Sequence, residues 1–198
     1  MGKRLFDIFC SSLGLIILAP LLLFIALWIK KDSAGPVFFR QTRVGLHGSL
    51  FKIHKFRSMY TESEAKGKLT IGSDSRITPS GHFIRKYKLD ELAQLIDVFL
   101  GKMSLVGPRP EVPDFMKHYS EEDRNIILSV KPGITDKASI EMVDENDILS
   151  KYPDPTQAYI DIIMPIKAKF YKEYVAHHTL MGDIQIILQT IIKIIRRS

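Results

Sequence analysis

Two adjacent acids, Asp90 and Glu91, sit among fixed positive charges in the stretch RKYKLDELAQLIDVFLGKMSLVGPRP, residues 85–110. An ionised carboxylate can attack phosphorus or hold a metal ion. Arg85 and Lys88 precede the pair. Arg109 follows it between Pro108 and Pro110, whose rings stiffen the backbone around the guanidinium. That planar fork suits the paired oxygens of a phosphate, which a lysine meets only as a point charge. Carboxylates able to carry Mg²⁺ beside a clamped arginine point to phosphoryl chemistry. Acids in a first helical turn are also common as caps, so residue type alone leaves a structural role for the pair open.

The elements that must position these groups can be read around them. Leu92, Leu95, Ile96, Phe99 and Leu100 recur at helical spacing and Gly101 follows as a stop, which predicts one amphipathic helix. Asp90 falls at its cap and Glu91 in its first turn, where orphan amides and the macrodipole favour ionised carboxylates. Upstream, residues 37–44 and 50–56 flank Gly45-Leu46-His47-Gly48 and read as a β-hairpin, with Lys55 and Arg57 at its end. Residues 61–81 are polar and glycine-rich, a loop. Helices are expected at 113–119, at about 120–130 behind a Ser120 cap, at 156–164, and at 165–176 with Pro165 as first residue. Glu141, Asp144, Glu145, Asp147, Asp154 and Asp161 match no EF-hand and read as a solvated face. His47, His54, His82, His118, His177 and His178 show no zinc-ligand spacing, and neither a P-loop nor a Ser-His-Asp set is present.

The 198 residues, 45% hydrophobic, suit one functional unit with a core. Cys10 is the single cysteine, which excludes an internal disulfide and agrees with a reducing compartment. The net charge of +6 leaves nucleic acid, membrane or an anionic substrate as partners. Between residues 30 and 60 seven basic residues, Lys30, Lys31, Arg40, Arg43, Lys52, Lys55 and Arg57, face Asp32 alone, and no nucleic-acid motif accompanies them. This excess follows directly on residues 13–29, LGLIILAPLLLFIALWI, an uncharged run of 17 positions that belongs in lipid. A straight helix of that length spans about 25 Å, short of the roughly 30 Å hydrocarbon core. Pro20 predicts a kink at its middle. Basic residues at both flanks favour both ends on the cytoplasmic side, which a re-entrant helix satisfies, while a tilted single span with a tolerated proline stays open. No A-x-A site follows the run, so a cleavable signal peptide is not expected. From Asp183, the residues Ile184, Ile187, Leu188, Ile191, Ile194 and Ile195 form one face of an amphipathic helix, with Lys193, Arg196 and Arg197 near its end. It suits a membrane interface or a core equally.

LDEL followed by QL, then MSLVGPRPE, closely resembles the bacterial sugar transferase family, the monotopic phosphoglycosyl transferases. GPVFFRQTRVG, FKIHKFRSM, the DxRxTxxG pattern around Asp74 and Arg76, and KPGIT extend the resemblance over nearly the whole chain. It implies that Asp90 and Glu91 are the catalytic pair, with Asp90 attacking a UDP-sugar, releasing UMP and keeping the phosphosugar until polyprenol (undecaprenyl) phosphate collects it. Spacing alone does not say which acid attacks. The resemblance further implies Mg²⁺ held at Asp90, Arg85 near the dyad, Arg109 at the phosphates, and Lys55 and Arg57 in phosphate binding. It also implies a re-entrant helix, kinked here by Pro20 within Ala19-Pro20 where relatives have Ser-Pro. The family's Gly-Trp-Ala-Gln continuation after KPGIT is replaced by Asp136-Lys137-Ala138-Ser139-Ile140-Glu141, as in small single-domain members.

The expected architecture is α+β and mostly helical: a re-entrant membrane helix over residues 1–31, then a catalytic unit over 32–198. In that unit a small hairpin and amphipathic interfacial helices surround the catalytic helix. The expected setting is the cytoplasmic face of a bacterial inner membrane, monotopic, with membrane lipids as partners and no nucleic acid. The competing class is a non-catalytic membrane-anchored scaffold with a basic surface. A phosphatase using the same covalent logic differs in taking water as second acceptor.

Overall fold

The computed structural model describes residues 2–61, 74–142 and 145–196. Most of residues 61–81, Asp144 and Arg197 lie outside them. The chain is mostly helical with small sheets and one long apolar N-terminal helix. That helix, α1, covers Gly2–Asp32 and passes through Pro20 as one continuous element. It is long and apolar enough to cross a membrane.

The two sides of α1 differ in an unusual sense. Asp7, Ser11, Ile25 and Ile29 are buried, with Leu22 packed nearby and Gly14 against Leu95, so one side follows the i, i+3, i+4 spacing of a single helical face. Leu5, Phe9, Ile16, Leu23 and Leu27, each more than 60% exposed, point outward. The outward face is the more apolar one, which marks a surface meant for lipid or a partner rather than for water.

Both ends of α1 are tied to one body. Lys3 donates to the Val106 carbonyl and pairs with Asp183, while Arg4 donates to the carbonyls of Val98 (2.6 Å) and Phe99 (2.9 Å). Asp7 Oδ1 accepts from Ser104 Oγ and the Leu105 amide. At the other end Asp32 accepts from the amide and hydroxyl of Ser80, and Arg57 donates to the carbonyls of Ile29, Ser33 and Ala34.

The expected hairpin is present in two steps. Strand β1 (Phe38–Phe39) pairs antiparallel with β4 (Lys55–Phe56), and β2 (Thr42–Val44) with β3 (Leu50–Lys52). A 3-10 turn, Leu46–Gly48, joins β2 to β3, with His47 and Gly48 both at positive φ. Helix α2 covers Pro79–Lys86 and is capped by Thr78, whose hydroxyl accepts from the Gly81 amide. The dyad region follows as a 3-10 segment, Leu89–Gln94, continued by α3, Leu95–Phe99. Gly101, at φ +80°, ends it as the sequence predicts.

Strand β5 (Ser104–Val106) pairs in parallel with β6 (Gly133–Thr135), a sheet that residue pattern did not reveal. The chain between them carries α4 (Pro113–Met116) and α5 (Glu121–Ile127), the latter capped by Ser120 as expected. Then come α6 (Lys137–Glu141), α7 (Glu145–Leu149), α8 (Pro155–Ala158) and a π-turn, Tyr159–Ile163. They run into α9 (Met164–His177), followed by α10 (Leu180–Arg196). The largest apolar cluster joins α4, α5, α8 and α9 around Phe115, Tyr159, Ile163 and Tyr171. A second, Ile25, Ile29, Phe56, Ile84 and Ala93, fastens α1 to α2, β4 and the dyad segment.

Candidate active site

Asp90 does not cap a helix. The residue before the segment, Lys88, adopts a left-handed conformation (φ 56°, ψ 21°) that turns the chain sharply, and Asp90 lies inside the 3-10 segment as its second residue. From this segment both acids come within reach of the hairpin strand β4. Asp90 is buried at 3% exposure, and Glu91 keeps 12% of its side chain in solvent.

Lys55 reaches both. Its ammonium lies 2.9 Å from Asp90 Oδ2 and 3.5 Å from Glu91 Oε1. The placement follows from strand register, Lys55 opposite Phe39, and from a brace beneath it. Asp97, fully buried on α3, accepts from the His54 amide at 2.7 Å and meets the ring Nδ1 at 2.8 Å, fixing the bend just before Lys55. Sequence reasoning missed this brace. The signal was an acid, Asp97, inside the apolar run Leu95-Ile96-Asp97-Val98-Phe99.

Arg109 grips Glu91 through both guanidinium nitrogens, one of them 3.2 Å from Oε2. Two glycines bring it there. A Cβ on Gly133 would stand 2.1 Å from the Gly107 nitrogen and one on Gly107 2.5 Å from the Lys131 carbonyl oxygen. Bare backbones therefore let β5 and β6 approach, and the Gly133 amide donates to the Pro108 carbonyl at 2.9 Å.

The electrostatics follow from this crowding. Burial pushes the Glu91 carboxyl upward, but Arg109, Lys55 and Lys88 together outweigh it and hold the group well below the ordinary glutamate range. Glu91 in turn raises the already high affinity of Arg109 for its proton. Behind Arg109, burial lifts the Asp136 carboxyl above the usual range although Ser139 hydrogen-bonds to it.

One atom of the dyad stands apart. Asp90 Oδ1 is buried and has no hydrogen-bond partner among the described residues. Among those residues no group of three or more His, Cys, Asp or Glu side chains could hold a metal ion. A single free carboxylate oxygen suits Mg²⁺ only where substrate phosphates and water complete its shell, which is how that ion is usually bound.

The sequence-predicted residues thus separate. Asp90, Glu91, Lys55 and Arg109 converge. Arg85 stands on α2 with a long contact, 3.4 Å, to Ser58 Oγ. Arg57 is turned away from the dyad: only 4% exposed, it donates to the carbonyls of Ile29, Ser33 and Ala34 and so fixes the C-terminal end of α1. Asp7 and Asp183, which anchor α1 at its other end, were also missed; each is an acid embedded in an otherwise apolar or basic stretch.

A buried carboxylate pair is thus held by two cations in a chain whose N-terminal helix is long and apolar enough to cross a membrane. The chain belongs to the bacterial sugar transferase family, whose model matches residues 1–197. It is 38% identical over 195 residues to the UDP-glucose:undecaprenyl-phosphate glucose-1-phosphate transferase of Escherichia coli, covering 96% of this chain and 39% of that protein. It is 36% identical over 212 residues to the undecaprenyl-phosphate galactose phosphotransferase of Salmonella typhimurium, covering 99% of this chain and 41% of the other. The UDP-N-acetylgalactosamine-undecaprenyl-phosphate N-acetylgalactosaminephosphotransferase of Aeromonas hydrophila is 36% identical over 192 residues, 96% of this chain and 42% of its own. The chain spans about two fifths of the length of these relatives.

Proposed function

We propose that this chain is a phosphoglycosyl transferase moving sugar 1-phosphate from a UDP-sugar to undecaprenyl phosphate, the first step of lipid-linked glycan assembly. The family and the relatives' names support the reaction class, and the observation that carries the chemistry is Asp90. One of its oxygens is fixed by Lys55 and the other is buried and unpartnered.

In the first half-reaction Asp90 Oδ1 attacks the phosphorus that bears the sugar. The bond from that phosphorus to the bridging oxygen breaks, and UMP leaves with the electron pair. The phosphosugar stays on Asp90 as an acyl phosphate. In the second, a phosphate oxygen of the acceptor attacks the same phosphorus, the bond to Asp90 breaks and the carboxylate is restored. Lys55 and Arg109 offset the charge that gathers on the phosphates. Glu91, whose affinity for protons is strongly reduced, is a poor base and serves to orient Arg109. Asp90 would hold Mg²⁺ together with donor phosphate oxygens, and the ion would supply further neutralisation of the diphosphate.

The setting belongs to the same proposal. A spanning helix carries one end to the far side of a bilayer, whereas Lys3, Arg4 and Asp7 at one end of α1 and Asp32 at the other all bond to one body. This supports a monotopic arrangement at the cytoplasmic face, with the outward apolar side of α1 in lipid. Replacing Asp90 with Asn tests the reaction: nucleoside monophosphate release from UDP-sugars should vanish, and release at the wild-type rate would refute it.

A further inference from the structure

Beside the dyad opens a groove of about 290 Å³. Leu92 and Leu95, Leu105 and Ile134, and Ile187 and Ile191 of α10 supply its apolar lining. Lys88, Glu91 and Arg109 close one end. α10 is pinned in place by a 2.7 Å hydrogen bond between Thr190 and Thr135 and by Lys193, which donates to the Ile140 carbonyl.

The groove is amphipathic along its length. The uncharged polar side chains of its walls are already taken: Thr135 and Thr190 bond to each other, and the Ser139 hydroxyl donates to Asp136 at 2.6 Å, while of the lining lysines Lys193 donates to the Ile140 carbonyl and Lys86 lies over the Tyr87 ring. A sugar or a nucleobase there would leave its own polar groups unpaired, whereas a hydrocarbon chain has none to satisfy. At the dyad end the Lys88 ammonium makes no hydrogen bond or ion pair among the described residues, and its backbone is held in the left-handed conformation that aims it there. Such strain in a non-glycine residue is commonly found where a side chain has a ligand to meet. Leu95 joins the groove to the membrane helix, its Cδ1 lying 3.2 Å from where a Cβ on Gly14 would stand. Next to the mouth, α10 exposes Leu188, Ile191 and Ile195.

Resting on the transferase reading above, we propose that this groove seats the lipid acceptor, a prenyl phosphate, with its phosphate at Lys88 beside the dyad and its first isoprenyl units between α3 and α10. A cationic end with an uncommitted Lys88 ammonium, and apolar walls that reach α1 through Leu95, match one phosphate carrying one hydrocarbon tail.

The test uses the full chain in detergent micelles, so that membrane attachment does not limit the rate. Ile191→Asp places a charge in the groove at a half-exposed position of α10, and Lys88→Asn removes the cation with a residue that tolerates positive φ. Two quantities are read: the burst of UMP from UDP-sugar without acceptor, and KM for undecaprenyl phosphate. Ile191→Asp should keep the wild-type burst, and both variants should raise the acceptor KM about tenfold or more. Unchanged acceptor KM with the burst intact overturns the groove assignment alone. A rise in KM for the UDP-sugar instead would also overturn it, giving the groove to the donor. A wild-type protein with no burst, but with transfer only when both substrates are present, would refute the covalent transferase reading itself.

Discussion

Replacing Arg109 with Ala should destabilise the protein through the acid it leaves behind. Glu91 is 12% exposed at its side chain and Arg109 29%, so the pair lies in a largely water-excluded place. Breaking a buried pair typically costs about 3–5 kcal/mol because the remaining charge is uncompensated. Lys55, 3.5 Å from Glu91, stays and recovers part of that, leaving about 2–3 kcal/mol. For a chain of this size that is a fall of roughly 4–12 °C in Tm, readable by thermal denaturation in detergent. Glu91→Gln in the Arg109→Ala background should recover most of the loss, since it removes the orphaned charge. The pH dependence has a definite sign. The folded carboxyl lies below its unfolded value of about 4.3, so its contribution is complete above that value and is lost as pH falls toward the folded one. The Tm gap between wild type and Glu91→Gln should therefore shrink in acid. A Tm for Arg109→Ala within a degree of wild type, or a double variant no better than the single, would refute this reasoning.

Arg57→Met should loosen the end of α1, lowering Tm by several degrees while leaving KM for the UDP-sugar within about twofold, because its donors serve backbone carbonyls. A donor KM raised tenfold in a stably folded variant would return Arg57 to the substrate. Asp136→Asn keeps the cap on Ser139 while removing a buried charge whose protonation is favoured by folding, so stability above pH 5 should hold or rise by about 1 kcal/mol. Asp136→Ala should lose about that much, and equal losses in both would show that the charge itself is needed. Cysteines introduced at positions 3 and 31 of a Cys10→Ser chain should react with an impermeant thiol reagent from the same side of sealed vesicles. Labelling from opposite sides would establish a spanning helix.

Much of the site was legible because its chemistry is local. Asp90, Glu91 and the proline-flanked Arg109 are recognisable by residue type, and the hairpin, the Gly101 stop and the Ser120 cap by turn and capping signals. What failed was direction. Lys55 and Arg57 differ by two residues in an apparent strand and should share a face, but β4 ends at Phe56 and the chain swings Arg57 back to α1. The cap assigned to Asp90 failed because Lys88 enters the left-handed region, a choice that residue type does not announce. The β5–β6 pair is three residues on each side, joined across a long connection, and is set by two glycine contacts rather than by alternation. The apolar run of 13–29 dominates the reading of α1, so the inward-facing polar positions Asp7 and Ser11 ahead of it become visible only when their partners, or the lack of water around them, are known.

The most direct measurement is the intact mass of the protein quenched after mixing with a UDP-sugar in the absence of lipid acceptor. A single phosphosugar should be added, located on the peptide containing Asp90 and discharged on addition of undecaprenyl phosphate, with no addition to Asp90→Asn. An unmodified mass at every quench time, together with initial rates that require both substrates bound at once, would contradict covalent transfer through Asp90.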